Sequence, residues 1–165
     1  MGLIINKKIQ ELMIGYPTIS DKYDVAPAVL EGTTSVKFGE PVKFGSTKGY
    51  FEAIGTNVPS AASVAGFALA TNVKLNTIYP EGGIEILPGE AFNLLIRGAM
   101  AVELDSAATL ASATANSAVH IILATGKLTT VDKYEADKVV PLTGVVFTGL
   151  TETQGEKKVA EIFVK

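Results

Sequence analysis

The sequence predicts an all-β protein, and three observations carry that reading. Beyond residue 33, short segments rich in Val, Ile, Phe and Thr follow one another, Gly, Pro, Asn and Asp turns separate them, and no stretch needs a long connecting helix. Many short strands with frequent turn signals are what a sandwich or a barrel is built from. The 165 residues, 47% hydrophobic and only 19% charged, suffice for one domain with a real core, or for two small units sharing one.

In chain order, residues 3–14 place Ile5, Ile9, Leu12 and Met13 at helical spacing, which predicts a short amphipathic helix that needs something to pack on. Gly15, Pro17 and Pro27 then interrupt regular structure, so residues 1–30 are read as an N-terminal arm, helical and then extended. Residues 31–165 are read as the β domain. Its expected strands are Ser35–Phe38, Val42–Phe44, Tyr50–Ile54, Ser63–Thr71, Ile84–Leu87, Ala91–Ile96, Ala99–Leu104, Ala118–Leu123, Lys127–Val131, Leu142–Leu150 and Lys158–Val164. Residues 105–118, nearly all Ala, Ser and Thr, fit a short helix or a plain linker, and the linker is favoured.

The two sides of that linker resemble each other. Starting at Val42, VKFGSTKGYF aligns without gaps with VHIILATGKL starting at Val119, and Gly66-Phe67-Ala68 falls opposite Gly144-Val145-Val146. Glu90–Ile96 and Glu156–Val164 each supply a closing alternating strand. This suggests repeat halves 31–104 and 115–165 joined by 105–114, pairing over one shared core.

The chemistry expected of an enzyme is missing. There is no cysteine, so disulfides and thiolate metal sites are excluded. His120 is the one histidine, on the face of an alternating strand opposite Val119 and Ile121; it is expected at the surface or an interface. Gly45-Ser46-Thr47-Lys48-Gly49 has its lysine and hydroxyls in the wrong order for a phosphate loop and reads as a hairpin turn. Carboxylates such as Asp21, Asp24, Glu81, Glu85 and Glu90 are scattered, without the alternate spacing of a calcium loop. No metal, cofactor or small-molecule substrate is therefore expected. A formal net charge of −3 without any basic block argues against nucleic acid. The first residues lack the charge-then-apolar order of a signal peptide, Asn6 stands where a myristoylation signal wants Ser or Thr, and no apolar run nears the roughly 18 residues of a membrane span.

Residues Val64–Leu104, VAGFALATNVKLNTIYPEGGIEILPGEAFNLLIRGAMAVEL, carry a family resemblance. They are similar to the central stretch of the decoration (structural cement) proteins of tailed-phage capsids. That stretch has an AGF or AGI strand, then PGE or PGD leading into an alternating strand, then a glycine-led strand. The matching residues are Ala65-Gly66-Phe67, Pro88-Gly89-Glu90, Phe92-Asn93-Leu94-Leu95 and Gly98-Ala99-Met100-Ala101-Val102. Phe38-Gly39-Glu40-Pro41-Val42 and Ala118–Leu128 resemble two further family motifs, so the likeness spans most of residues 35–165. Met100-Ala101 departs from it, because the family often has an aromatic there.

The resemblance implies a β-sandwich or tulip-like domain and a non-enzymatic virion protein. Such a protein sits on the outer surface of the head, after assembly in the host cytoplasm, and cements neighbouring major capsid proteins, commonly as a homotrimer. The apolar arm, with Leu3, Ile4, Ile5, Ile9, Leu12, Met13, Ile14 and Tyr16, is the expected capsid- or partner-binding element, against the alternative that it closes one end of its own domain. A receptor- or carbohydrate-binding module is the runner-up function; it would want exposed aromatics or a calcium site.

Overall fold

A computed structural model describes residues 12–18, 23–54, 64–70, 85–133, 135 and 138–165. The strands are β1 (Asp24–Glu31), β2 (Val36–Lys37), β3 (Pro41–Phe44), β4 (Tyr50–Ala53), β5 (Gly66–Leu69), β6 (Glu85–Ile86), β7 (Ala91–Leu104), β8 (Ala118–Ile122), β9 (Leu128–Thr129), β10 (Val139–Gln154) and β11 (Lys157–Val164). Helical structure among the described residues is limited to 3₁₀ turns at Leu110–Ser112 and Val131–Lys133. The expectation of an all-β chain of short strands is met.

The strands close into two small rings that share β7. In the first, the order is β1-β4-β3-β5-β7, and β7 pairs back onto β1. In the second, it is β7-β11-β10-β8-β9, and β9 returns to β7 through Leu104 and Leu128. Each ring contains one parallel contact, β1 with β4 and β7 with β9, and its other pairings are antiparallel. Closure leaves few unpaired strand edges, the exposed backbone that would otherwise invite aggregation.

Sharing one strand between two interiors requires a change of phase. Phe92 and Leu94 of β7 point into the first core, with Ala28, Leu30, Val42, Phe51 and Ala68. Leu95 points to the other side and joins Met100, Val102 and Leu104 in the second core. Strict alternation would send residues 95 and 100 to opposite faces. A bulge resolves this: Val25 pairs with Leu95 and Asp24 with Arg97, which leaves Ile96 as the extra residue.

The second core is the larger. Val119, Ile121, Leu128, Leu142, Val145, Phe147, Ala160 and Ile162 line it, and Phe67 and Leu69 from the outside of the first ring complete it. Burying one such large side chain contributes about 1.5–3 kcal/mol. The β2–β6 pair carries Val36 and Ile86 onto the first core. The connection over residues 105–118 does the same for the second: Ala108 and Ala113 are buried in it and Leu110 packs against it. The expected linker is thus a covering loop whose small side chains allow close approach.

Three sequence expectations change. Asp24–Glu31, read as part of the arm, is a strand closing the first ring. Its Pro27 is tolerated because residues 24–28 of β1 pair only with β7; pairing to β4 begins at Val29, so no ladder donor is missed there. The strands expected at Ala91–Ile96 and Ala99–Leu104 are one bulged strand. Of the expected helix over residues 3–14, residues 3–11 lie outside the described residues, and residues 12–14 are not helical.

Candidate partner-binding surface

His120 is buried, 4% exposed, with Nδ1 3.1 Å from the carbonyl oxygen of Ala118, which corrects its expected surface position. It does face away from Val119 and Ile121. Alternation fixes which face a side chain takes, not what lies over that face, and the 3₁₀ turn at Val131–Lys133 packs against β8. Among the described residues no three His, Asp or Glu side chains gather as a metal site would need.

The glycine-flanked segment 45–49 is the β3–β4 hairpin turn, as its residue order suggested. The Glu31 carboxylate fastens it, accepting from the Ser46 backbone N–H at 2.7 Å and the Ser46 hydroxyl at 2.6 Å. Those bonds hold the Glu31 carboxyl below its ordinary pKa. A comparable pin in the second ring is Asp132, whose carboxyl is held well below the usual range, chiefly by the Thr130 hydroxyl.

A cleft of about 330 Å³ is lined by residues of both rings: 34–41, Ala53, Ile54, Glu103, Leu104 and 125–128. Glu40 lies on it. Desolvation pushes its carboxyl up; a hydrogen bond from the Lys37 backbone and the Lys37 charge oppose this, while Glu85 and Glu103 reinforce it. Charges of both signs and a mixed lining give this cleft no chemistry directed at one ligand.

The arm residues divide. Leu3, Ile4, Ile5 and Ile9 lie outside the described residues. Leu12 is 7% exposed and packs with Ile14 on Ala101 and Val159, across the outer face of the second ring. Its backbone is held at both ends: the N–H donates to Glu152 Oε2 at 3.0 Å, and the carbonyl accepts from Gln154 Nε2 at 2.6 Å. Ile14 and Tyr16 are half-buried, while Met13 is 52% exposed.

Residues 14–18 add to the side of β7. Gly15 N–H donates to the Ala101 carbonyl at 2.9 Å, Thr18 N–H donates to that of Ala99 at 3.1 Å, and Gly15 O accepts from Ala70 N–H at 2.8 Å. Gly15 has φ +81°, and a Cβ there would lie 2.5 Å from Phe38 Cβ and 3.1 Å from Gly39 N. Only glycine fits this junction of arm, first ring and second ring.

Exposed large apolar side chains fall into separate groups. Phe44, 69% exposed, and Tyr50 flank the β3–β4 turn, Tyr23, Val25 and Ile96 lie along the outside of β1 and β7, and Leu150, 56% exposed, sits on β10. Leu150 was legible only as the last residue of an expected strand; nothing in its neighbourhood marked it as facing solvent.

A search of curated proteins finds no match. Among solved structures, a chain from "The capsid of Myoviridae Phage XM1" is similar in fold, with a TM-score of 0.65 at 17% identity, over 100% of this chain and 97% of that one. The family described as structural cement protein (E217 gp24/Pam3 gp6) matches residues 8–165, which takes in both rings and the anchored part of the arm. By that match the chain belongs to the phage structural cement protein family, and its role is a structural, capsid-stabilising one.

Proposed function

We propose that this cement protein binds the outer surface of a tailed-phage head and ties neighbouring major capsid proteins together, as a homotrimer and without catalysing any reaction. The observation that carries the reading is the family match over residues 8–165. The apolar groups left at the surface support it, because solvent-facing Phe, Met and Leu in separate places suit a protein with several neighbours. A capsid offers many identical sites, and a trimer engaging several at once gains avidity without any stronger single contact. Assembly in the host cytoplasm and a final place on the virion follow from that role.

In this reading the arm docks on coat protein. Leu12 and Ile14 by their side chains, and Tyr16 by its carbonyl, which accepts from the Ala101 N–H, anchor it to its own second ring. Leu3, Ile4, Ile5, Ile9 and Met13 supply the apolar side chains for the partner. The exposed Phe44 and Tyr50 are the one feature that a receptor- or carbohydrate-binding module would share, and the family match over residues 8–165 favours the cement role over it.

The test is to mix purified protein with expanded heads that lack it and to follow co-sedimentation. Saturable binding in multiples of three copies per local site is expected. No binding to expanded heads would overturn the function, and single scattered copies would overturn the trimer. A chain beginning at Leu12 should fold and bind at least about tenfold more weakly, since several buried aliphatic contacts at about 1.5 kcal/mol or more each would be lost. Unchanged binding would overturn the docking role of residues 1–11.

A further inference from the structure

We propose that the outer face of the second ring, carrying Leu150 and Met13, is the surface that seats on the coat protein, and that it meets an apolar patch there. The inference rests on the cement function above and adds which side of the molecule faces the shell.

The first observation is a contrast between equivalent faces. The outside of β5 and β7 in the first ring presents Phe67, Leu69 and Leu95, and the second ring covers all three. The corresponding outside of the second ring is formed by β10 and β11, where Glu152 stands opposite Val159. The arm covers part: Leu12 lies on Val159 and Ala101, with its backbone held between Glu152 and Gln154. Glu152 and Gln154 alternate along β10 and so share one face. Leu150 stands just before them in a bulge, where pairing with β11 shifts between Phe147 and Thr151. Its N–H donates to the Thr148 hydroxyl, which itself donates to Glu161, beside Val159 on β11. Leu150, exposed on that bulge, thus borders the face that the arm packs.

The second observation is where the chain leads. Residues 1–11 join the described structure at Leu12, beside this face, and include Leu3, Ile4, Ile5 and Ile9. Eleven residues reach at most roughly 40 Å even when fully extended. Whatever receives that segment must lie within that distance of the β10–β11 hairpin. Met13 follows the point of departure and Leu150 lies two residues before Glu152, which holds Leu12, so the partner that takes the segment meets them too. Phe44, on the β3–β4 hairpin of the first ring, is not part of this face.

The experiment uses the full chain with Met13→Lys and Leu150→Lys together, and Phe44→Lys as the comparison. A lysine at the centre of a desolvated apolar contact should weaken binding to expanded heads at least about tenfold, whereas Phe44→Lys should change it by less than about twofold. Melting temperatures should match the parent, as expected of solvent-facing positions; should the double lysine variant melt early, Leu150→Ser, a milder change, is read in its place. Parent-like binding by the variant would overturn the inference, as would an equal loss from Phe44→Lys. Loss of self-association in the absence of heads would also overturn it, assigning the face to a second copy of this chain. Failure of the parent to bind is a different result, and refutes the cement function itself.

Discussion

The two rings have the same strand order and the same strand directions, yet they are packed differently. The first holds a compact core of its own, covered by the β2–β6 pair, and lends its outer side chains Phe67, Leu69 and Leu95 to its neighbour. The second surrounds the larger core, is built on the long β10 and β11, and has its own outer face half covered by residues 12–14. Equal topology thus produces unequal exposure. One ring is buried on the side where the other is open, and the arm closes part of the open side.

The largest effect expected from breaking this arrangement comes from truncation. A chain starting at Glu31 loses nearly all of β1, opens the first ring and uncovers Phe92 and Leu94. It should show no cooperative melt, whereas a chain starting at Leu12 should melt as the parent does. Circular dichroism against temperature distinguishes them, and a cooperative transition in the shorter chain would show that the first ring does not need its closing strand.

Phe67→Ala should cost about 3–5 kcal/mol in denaturant unfolding, because the side chain is fully buried between the rings and the site cannot collapse without separating them. The two rings should still unfold in one transition. A split transition, with the first ring surviving alone, would contradict the shared core.

Gly15→Ala should cost about 1–3 kcal/mol, combining a left-handed backbone with contact against Phe38 and Gly39. The loss should be local. Hydrogen exchange at the Ala70 amide, which donates to Gly15 O, should speed up while amides in β11 keep their protection.

The smallest expected effect concerns the cleft lined by both rings. Glu40 has its pKa raised in the folded state, so folding favours its protonated form; stability from this group is present at acid pH and lost as pH rises through the folded pKa. Glu40→Gln should therefore raise the melting temperature near neutral pH by about 1 °C, a small amount because water screens the site. The gain should vanish at acid pH. A gain independent of pH would assign the effect to packing.

Much of this architecture could be read from residues alone. The gapless match of Val42 with Val119 places β3 on β8 and β4 on β9, the same hairpin of each ring. The match of Gly66-Phe67-Ala68 with Gly144-Val145-Val146 reaches the right strands but is one residue out of phase: Ala68 faces the first core and Val145 the second. β10 changes phase within itself, between Pro141 and Val146, so that Leu142 and Val145 both face the second core around Gly144 with φ +77°, and composition carries no trace of that. β1 was hidden by Pro27, since a proline counts against a strand only where both edges are paired. Pro141 in β10 follows the same rule, pairing with β8 at His120 before β11 joins at Val145.

The candidate surface was half legible. Aliphatic crowding before Gly15 marked the arm, but anchoring through Glu152 and Gln154 joins residues about 140 positions apart, a separation no local pattern encodes. Leu150 ends an expected apolar strand, and no local pattern marks the bulge between Phe147 and Thr151 in which it stands exposed.

Binding and cementing are separable, and cementing is the central claim. The most direct measurement is the temperature at which expanded heads come apart, compared with and without saturating protein. Decorated heads should come apart at a higher temperature, by an amount that scales with occupancy and is lost with Met13→Lys and Leu150→Lys together. Fully decorated heads that come apart at the same temperature as bare ones would contradict the claim.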